Sequence, residues 1–229
     1  MTGKEFKLAR QQSRLKQSEV ARRLHVSQTY VALLESGRRS FPPKLAAKAA
    51  ALLRMNPLAL PLGTAVPGDA EFLVRQLSAL GYPGFAHLRA VRRRNPVDVL
   101  LAALRNDNLE GRVAEALPWL LLEYGAMSEE CKDWLVKQAR LHALSNRLGF
   151  VVSLAKAVAE RRGESTSDVY RTLTDIEREL ERTRLAQLDT FCQNYLSPAQ
   201  RAWLERMRPE AAKHWNLLTN WKSEHLNYA

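Results

Sequence analysis

A polar pair, Gln28 and Thr29, stands at the start of a short segment with helical periodicity, and both side chains could read the edges of DNA bases. A glutamine amide can form two hydrogen bonds with N6 and N7 of adenine, and threonine offers a hydroxyl and a methyl group. Ser27 is a suitable N-cap before the pair, and Gly37 suits the left-handed position after a helix end. The alternative is that Gln28 and Thr29 lie on the solvated face of a helical domain that binds protein.

Basic residues follow this segment and could neutralise phosphate charge. Arg38 and Arg39 come directly after the predicted helix end, and Lys44 lies a little further along. Isolated arginine pairs are usually solvated, but phosphate contact is the better interpretation for Arg38 and Arg39 because they lie beside a base-reading helix. The sequence leaves the role of Arg22 and Arg23 undecided.

Three short helices must position these side chains. The spacing of apolar residues predicts helices from Lys4 to Gln12, from Gln17 to Leu24 and from Ser27 to about Ser36. A tight turn at His25 and Val26 joins the last two helices. Two short helices, a turn of few residues and a polar, outward first turn are the pattern of a helix-turn-helix, whose second helix fits the major groove of DNA.

Residues 4–60 resemble the phage-repressor (Cro/XRE) helix-turn-helix family, on the string QSEVARRLHVSQTYVALLESGRR from residue 17 to residue 39. The resemblance implies a five-helix DNA-binding domain in which Arg10 of the first helix pairs with Glu35 near the end of the third. It also implies that Gln17 touches a phosphate and braces the recognition helix. His25 departs from the family, in which glycine is common at this position. A histidine there must accept a left-handed turn at a modest cost.

The resemblance and the residue types together predict a DNA-contacting surface. The first exposed positions of the recognition helix read bases, and the loop after that helix contacts the DNA backbone. Leu33 either contacts a thymine methyl group or packs internally. The predicted DNA-contacting residues are Gln17, Ser27, Gln28, Thr29, Tyr30, Leu33, Gly37, Arg38, Arg39, Ser40 and Lys44.

Charge is concentrated near the start of the chain. The 229 residues carry a net charge of +11, and residues 1–67 alone hold 12 Lys and Arg against three Glu. This favours a polyanionic partner, either nucleic acid or an anionic membrane surface. No apolar run is long enough to span a membrane, and we expect no signal peptide. Two cysteines, Cys131 and Cys192, are too few for a disulfide framework, so we expect free buried thiols in a reducing cytoplasm.

Helical periodicity without any confident strand predicts an all-α fold with two domains. We assign residues 1–62 to a five-helix repressor-type helix-turn-helix domain and residues 63–68 to a linker rich in Pro and Gly. Residues 69–229 are assigned to a larger helical bundle for oligomerisation or partner binding.

Capping residues and glycines predict the helix boundaries of the second domain. Helix starts are predicted at the N-cap residues Asn95, Ser128 and Ser197. Helix ends are predicted at Gly125, Gly149 and Gly163. Pro118 predicts a kink or a break.

Three further features of the second domain bear on partners. Residues 117–150 are similar to bacterial toxin-associated regulators, which are encoded beside nucleotidyltransferase-like toxins. The amphipathic segment Asp175–Gln187 predicts either an interface helix or a solvent-facing helix. We expect the tryptophans near the C-terminus in the core rather than in a ligand site: Trp203, Trp215 and Trp221.

An enzyme hypothesis rests on Arg208 and His214. Their spacing resembles that of the HEPN-type ribonucleases, in which a helical bundle presents both residues to RNA, but Pro209 departs from that pattern. The histidines and cysteines show no metal-ligand spacing. Because the chain also has no glycine-rich phosphate loop and no nucleophile elbow, we expect no catalytic site, no metal and no cofactor.

The residues and the resemblance favour a cytoplasmic transcriptional regulator that binds double-stranded DNA as a homodimer and represses by covering a promoter. One alternative is an antitoxin that neutralises a cognate protein toxin through residues 69–229 and represses its own operon. The other alternative is a ribonuclease that uses Arg208 and His214.

Overall fold

The computed structural model describes residues 1–63, 68–88, 91–193, 195–226 and 228. The protein is all-α, as predicted, and it divides into two compact units. Unit 1 contains residues 1–63 and 93–95, and unit 2 contains the other described residues. Positions 64–67 of the predicted linker 63–68 lie outside the described residues. Within the described ranges, no helix has both the length and the apolar character of a membrane span.

Unit 1 consists of four α-helices and one 3-10 turn, where five short helices were predicted. The elements are α1 (Gly3–Gln12), α2 (Gln17–Leu24), α3 (Gln28–Glu35), α4 (Pro43–Leu52) and the 3-10 turn Pro57–Ala59. A capping box between Thr2 and Glu5 begins α1, and the Asn56 side chain accepts from Leu58 N–H to cap the 3-10 turn. The apolar faces meet in one core, whose buried members are Phe6, Val20, Ala21, Leu24, Val31, Ala49 and Leu53.

Three residues from further along the chain, Arg93–Asn95, complete unit 1. The domain boundaries predicted from the sequence assign them to the second domain, residues 69–229. Asn95 is 1% exposed, and its side-chain amide donates to the backbone carbonyls of Leu58 (3.1 Å) and Leu60 (2.8 Å). Unit 1 is therefore assembled from two separate stretches of chain, which no local sequence pattern indicates.

Unit 2 packs its helices around the helix Ser145–Arg161, and four other helices lie against it: Gly111–Tyr124, Glu129–Leu141, Asp168–Glu181 and Glu210–His214. Two short parallel strands pair with Asp189 opposite Leu217 and Thr190 opposite Leu218. Further 3-10 turns cover Pro83–Phe85 and Ser223–His225. The elements are α5 (Ala70–Leu80), α6 (Pro96–Leu104), α7 (Gly111–Tyr124), α8 (Glu129–Leu141), α9 (Ser145–Arg161), α10 (Asp168–Glu181), β1 (Asp189–Thr190), α11 (Pro198–Met207), α12 (Glu210–His214) and β2 (Leu217–Leu218).

One predicted helix boundary in unit 2 is wrong, and another is only partly tested. Of the kink or break predicted at Pro118, the break is absent, because α7 continues through the proline with buried residues on both sides of it. Gly149 lies inside α9 rather than at a helix end. A Cβ atom on Gly149 would lie 2.5 Å from ring atoms of Trp215, so the glycine makes room for this fully buried side chain. Gly125 and Gly163 do follow helix ends, as predicted.

The amphipathic segment predicted over Asp175–Gln187 is instead α10, which begins at Asp168 and ends at Glu181. Three of its apolar side chains, Leu173, Ile176 and Leu180, are 0% exposed, and the helix packs against α8 and α9. Its outer face carries ion pairs such as Arg178 with Asp175 at 3.1 Å. The apolar face of α10 is thus covered within unit 2 and is not available to another molecule.

Candidate nucleic-acid interface

The third helix of unit 1 is fixed at its start and along one face. The Ser27 hydroxyl accepts the backbone N–H of Tyr30 at 3.1 Å and so caps α3. Val31 and Leu34 are 0% exposed and anchor the inner face of α3 in the core of unit 1. The outer face of the helix therefore has a defined orientation.

The predicted base-reading residues lie on that outer face. Gln28 and Thr29 occupy the first turn of α3 and are exposed. Tyr30 and Leu33 are half-buried, which leaves part of each side chain accessible. The first turn of α3 is therefore a polar, outward surface on a helix whose other side is buried.

The turn before α3 has the left-handed backbone expected at His25, whose φ is +58°. The next residue, Val26, donates its N–H to the carbonyl of Ala21 at 2.9 Å, which closes the C-terminus of α2. Because a non-glycine residue rarely adopts this conformation, the packing of α2 against α3 has to hold it.

Glu35 connects the last turn of α3 to both preceding helices. Arg10 donates to the two carboxylate oxygens of Glu35, from Nε at 2.5 Å and from Nη2 at 3.1 Å. Its Nη1 donates to the carbonyl of Leu15 at 2.8 Å. The side-chain amide of Gln17 donates to the same carboxylate at 2.8 Å. The pairing that the family resemblance implies is thus present, and Gln17 braces α3 from the first position of α2.

These hydrogen bonds set the ionisation of Glu35. Burial of the carboxyl opposes its ionisation, but the hydrogen bonds from Arg10 and Gln17 outweigh burial, so the pKa of Glu35 lies below its usual value. One N–H of the Gln17 amide is used in this contact, which leaves the second N–H for the predicted phosphate contact.

The loop after α3 presents its basic side chains to solvent. Gly37 has a φ of +72°, which glycine adopts without strain, and it turns the chain away from the helix. Arg38, Arg39 and Ser40 are exposed, and so is Lys44 in the first turn of α4. Within the described ranges, the side chains of Arg38, Arg39 and Lys44 form no hydrogen bond or ion pair. They are free to contact an anionic ligand.

Unit 1 carries the whole net charge of the protein. With Arg93 and Arg94 included, it has fourteen Lys and Arg against three Glu, a difference of +11. The remaining sequence has 21 basic and 21 acidic residues and is neutral. The carboxylates of unit 1 all accept hydrogen bonds within it, and they belong to Glu5, Glu19 and Glu35. Basic side chains outnumber carboxylates so strongly in unit 1 that most of its exposed basic side chains have no carboxylate partner there.

The sequence interpretation missed the basic residues at positions 92–94. A signal for them exists, since three consecutive arginines precede the predicted helix start at Asn95. Charge counting confined to the first 67 residues could not assign them to unit 1, because Arg93 and Arg94 join it only through the tertiary fold.

The structure places Arg208 and His214 in different local settings. Arg208 lies between α11 and α12, where its Nε donates to the carbonyl of Glu205 at 3.4 Å. His214 is the last residue of α12, and its Nε2 contacts the Glu181 carboxylate. The backbone carbonyl of His214 accepts from Arg184 at 2.9 Å. Each of the two side chains thus contacts a different part of unit 2.

Neither thiol is in an activated environment. Cys131 is 5% exposed, and burial raises its pKa to about 11. Cys192 is half-buried rather than fully buried as predicted, and desolvation raises its pKa to about 12. Both are free. In the described part of the chain, no group of three or more His, Cys, Asp or Glu side chains could hold a metal ion.

Comparison with known families identifies one segment. The family model of a helix-turn-helix domain matches residues 3–60, which covers α1 to α4 and the 3-10 turn. No curated protein and no solved structure matches the chain significantly. Residues 3–60 are thus a helix-turn-helix DNA-binding domain.

Proposed function

We propose that this protein is a sequence-specific transcriptional regulator of the phage-repressor (Cro/XRE) type, which acts in the cytoplasm as a homodimer on double-stranded DNA. The observation that carries the proposal is that Gln28 and Thr29 are exposed on the first turn of α3. The hydrogen bonds of Glu35 and the buried face of α3 hold this helix in place. Base reading needs such support because a bidentate hydrogen bond tolerates little rotation of the donor.

Binding proceeds from long-range attraction to base contact. The +11 charge of unit 1 draws the protein to DNA, and Arg38, Arg39 and Lys44 then neutralise backbone phosphates. With the helix seated in the major groove, the Gln28 amide bonds N6 and N7 of adenine, and Thr29 contacts a neighbouring base. A protein bound over a promoter excludes RNA polymerase, which is the simplest route to repression.

A second copy of the chain supplies the second recognition helix, since one helix covers only a few base pairs. We assign the contact to α11, where Leu204 alone is buried. Trp203 is 46% exposed and Met207 is 53% exposed, and their spacing puts both on one face of the helix. An exposed tryptophan and methionine are the side chains that protein interfaces favour. A two-fold arrangement buries this face against its equivalent in the second copy.

The proposal assigns no catalysis to Arg208 and His214. A ribonuclease site needs both side chains at one phosphate. The contacts of Arg208 with Glu205 and of His214 with Glu181 and Arg184 support two separate structural roles.

The test is selection of duplexes from a random-sequence pool by the full-length protein, followed by affinity measurement on the selected duplex and on unselected DNA. Gln28→Ala is expected to weaken binding to the selected duplex by about 1–3 kcal/mol and to leave binding to unselected DNA nearly unchanged. The matched control is Gln12→Ala, which removes an exposed glutamine of α1.

Two results would count against the proposal. Failure of the protein to enrich any sequence would remove the sequence-specific function. Equal losses on both DNAs for Gln28→Ala would show that Gln28 does not read bases.

A further inference from the structure

We infer that Arg93 contacts DNA backbone phosphates outside the base pairs that α3 reads, so that the DNA-binding surface of unit 1 includes a residue thirty positions beyond its N-terminal stretch. This inference rests on the proposed DNA-binding function. It adds a second source of sequence-independent affinity to the one assigned to Arg38, Arg39 and Lys44.

The placement of Arg93 follows from the anchor at Asn95. The Asn95 amide makes two hydrogen bonds to carbonyls at the end of the 3-10 turn of unit 1, and the residue is 1% exposed. Consecutive Cα atoms are about 3.8 Å apart, so Arg93 lies within about 8 Å of this fixed point. Arg93 is therefore held on the surface of unit 1 by the fold rather than carried on a free segment.

The charge environment of Arg93 favours an external anion. Its side chain is exposed and makes no hydrogen bond or ion pair with any described residue. Each of the three carboxylates in unit 1 accepts hydrogen bonds within the unit, as described above. The adjacent Arg94 is half-buried and adds a second positive charge at the same place. Because Arg93 itself makes no ion pair with a described carboxylate, its side chain is available to an anion on another molecule.

The chemistry of arginine and the partner already proposed make that anion a DNA phosphate. A guanidinium binds phosphate through two parallel hydrogen bonds, and it keeps its charge at every pH at which the protein is folded. Duplex DNA presents phosphates on both sides of the bases that one recognition helix covers, so a contact beyond the recognition helix extends the footprint. Such a contact carries no base information.

The experiment measures the affinity of the full-length protein for the selected duplex and for unselected DNA over a range of KCl concentrations. Each phosphate contact contributes about 0.9 to the slope of log K against log salt. Arg93→Gln is therefore expected to lower the slope by about 1 on both DNAs. The control is Arg105→Gln, which removes an exposed arginine from the neutral unit 2 and is expected to leave the slope unchanged.

The outcomes separate this inference from the proposed function. An unchanged slope for Arg93→Gln in a protein that still binds DNA overturns the contact and leaves the proposed function standing. An equal decrease of the salt slope for Arg105→Gln also overturns it, because the slope then depends only on the total charge of the protein. A loss confined to the selected duplex makes Arg93 a base reader and contradicts the phosphate role. A parent protein that binds no DNA ends both proposals. Thermal unfolding of each variant, unchanged from the parent, confirms that the substitutions act on binding.

Discussion

Arg10 and Glu35 form a two-point ion pair, in which Nε and Nη2 of the guanidinium donate to different oxygens of the carboxylate, at 2.5 and 3.1 Å. The side chains are 11% and 4% exposed. The pair joins α1 to the end of α3, and Gln17 adds a third hydrogen bond from α2. The three helices that position Gln28 and Thr29 therefore share one nearly buried polar junction.

Loss of Arg10 should destabilise unit 1 more than unit 2. Arg10→Ala leaves the Glu35 carboxylate nearly buried without its main partner, and breaking such a pair costs about 3–5 kcal/mol. All five tryptophans lie between residues 119 and 221, in unit 2, so tryptophan fluorescence reports the unfolding of that unit alone. We expect DNA binding to be lost at a lower temperature while the fluorescence transition stays in place. The control is Lys4→Ala, which removes an exposed charge from the same helix. It should change neither the temperature at which DNA binding is lost nor the fluorescence transition.

The same junction predicts a pH dependence. The pKa of Glu35 is lower in the folded protein than the value of about 4.3 in an unfolded chain, so the stability it confers is fully present above that value. This stability is lost as the pH falls toward the lower folded pKa. Glu35→Gln should therefore flatten the acid-side dependence of unit 1 unfolding, measured as the part of the far-ultraviolet circular dichroism change that tryptophan fluorescence does not follow. If the stability of unit 1 falls with decreasing pH equally in the parent and in the variant, Glu35 is not the source of this pH dependence.

The loop after the recognition helix should supply affinity without sequence preference. Replacement of both Arg38 and Arg39 by Ala is expected to lower the slope of log K against log salt by about 2, equally on selected and unselected DNA. The double variant Arg178→Ala/Arg182→Ala removes the same charge from α10 and the residue that follows it, and it should leave the slope unchanged. If the slope does not change in the first variant, the two arginines do not contact phosphate.

The proposed dimer should depend on the exposed face of α11. The intact chain is expected to sediment as a dimer at micromolar concentration, and Trp203→Ser/Met207→Ser is expected to sediment as a monomer with unchanged helical content, since both side chains are exposed. Leu141→Ser, which removes a leucine that is 66% exposed on α8, is the control. A monomeric parent would defeat the dimer and leave this face for a different protein, as the antitoxin alternative requires.

No ribonuclease activity is expected. Mixed RNA incubated with the full-length protein should remain as intact as RNA incubated with Arg208→Ala/His214→Ala. The reason is geometric, because the Arg208 side chain contacts the Glu205 carbonyl while His214 contacts Glu181. RNA cleavage by the parent that the double variant lacks would contradict this prediction and make unit 2 the active part of the molecule.

What the sequence predicts well is what neighbouring residues determine. The first three helices of unit 1, the cap at Ser27 and the left-handed residues His25 and Gly37 all depend on contacts within a few positions, and all are where the sequence places them to within a residue or two. Gly149 was misassigned because a glycine at a helix end and a glycine beneath a tryptophan look alike in sequence. Only the fold brings Trp215 onto it.

Gly149 thus provides a test of unit 2 packing. Gly149→Ala adds a Cβ atom 2.5 Å from the Trp215 ring, and overpacking of this kind costs about 1–3 kcal/mol. The higher helix propensity of alanine returns at most about 1 kcal/mol. We expect a net loss of stability in the tryptophan fluorescence transition. Gly111→Ala, at the start of α7 with Trp221 at an ordinary 3.8 Å, should be neutral or stabilising.

The hydrogen bonds from Asn95 to Leu58 and Leu60 limit how this domain can be inherited or engineered. A helix-turn-helix segment at the start of a chain is a natural module for recombination, since a cut in the following linker normally transfers it whole. Here a gene fusion made at residue 63 would leave two backbone carbonyls without their donor and would omit two of the fourteen positive charges. A hybrid protein that keeps unit 1 whole must therefore carry the chain as far as residue 95, and so inherits α5, the first helix of unit 2, with it.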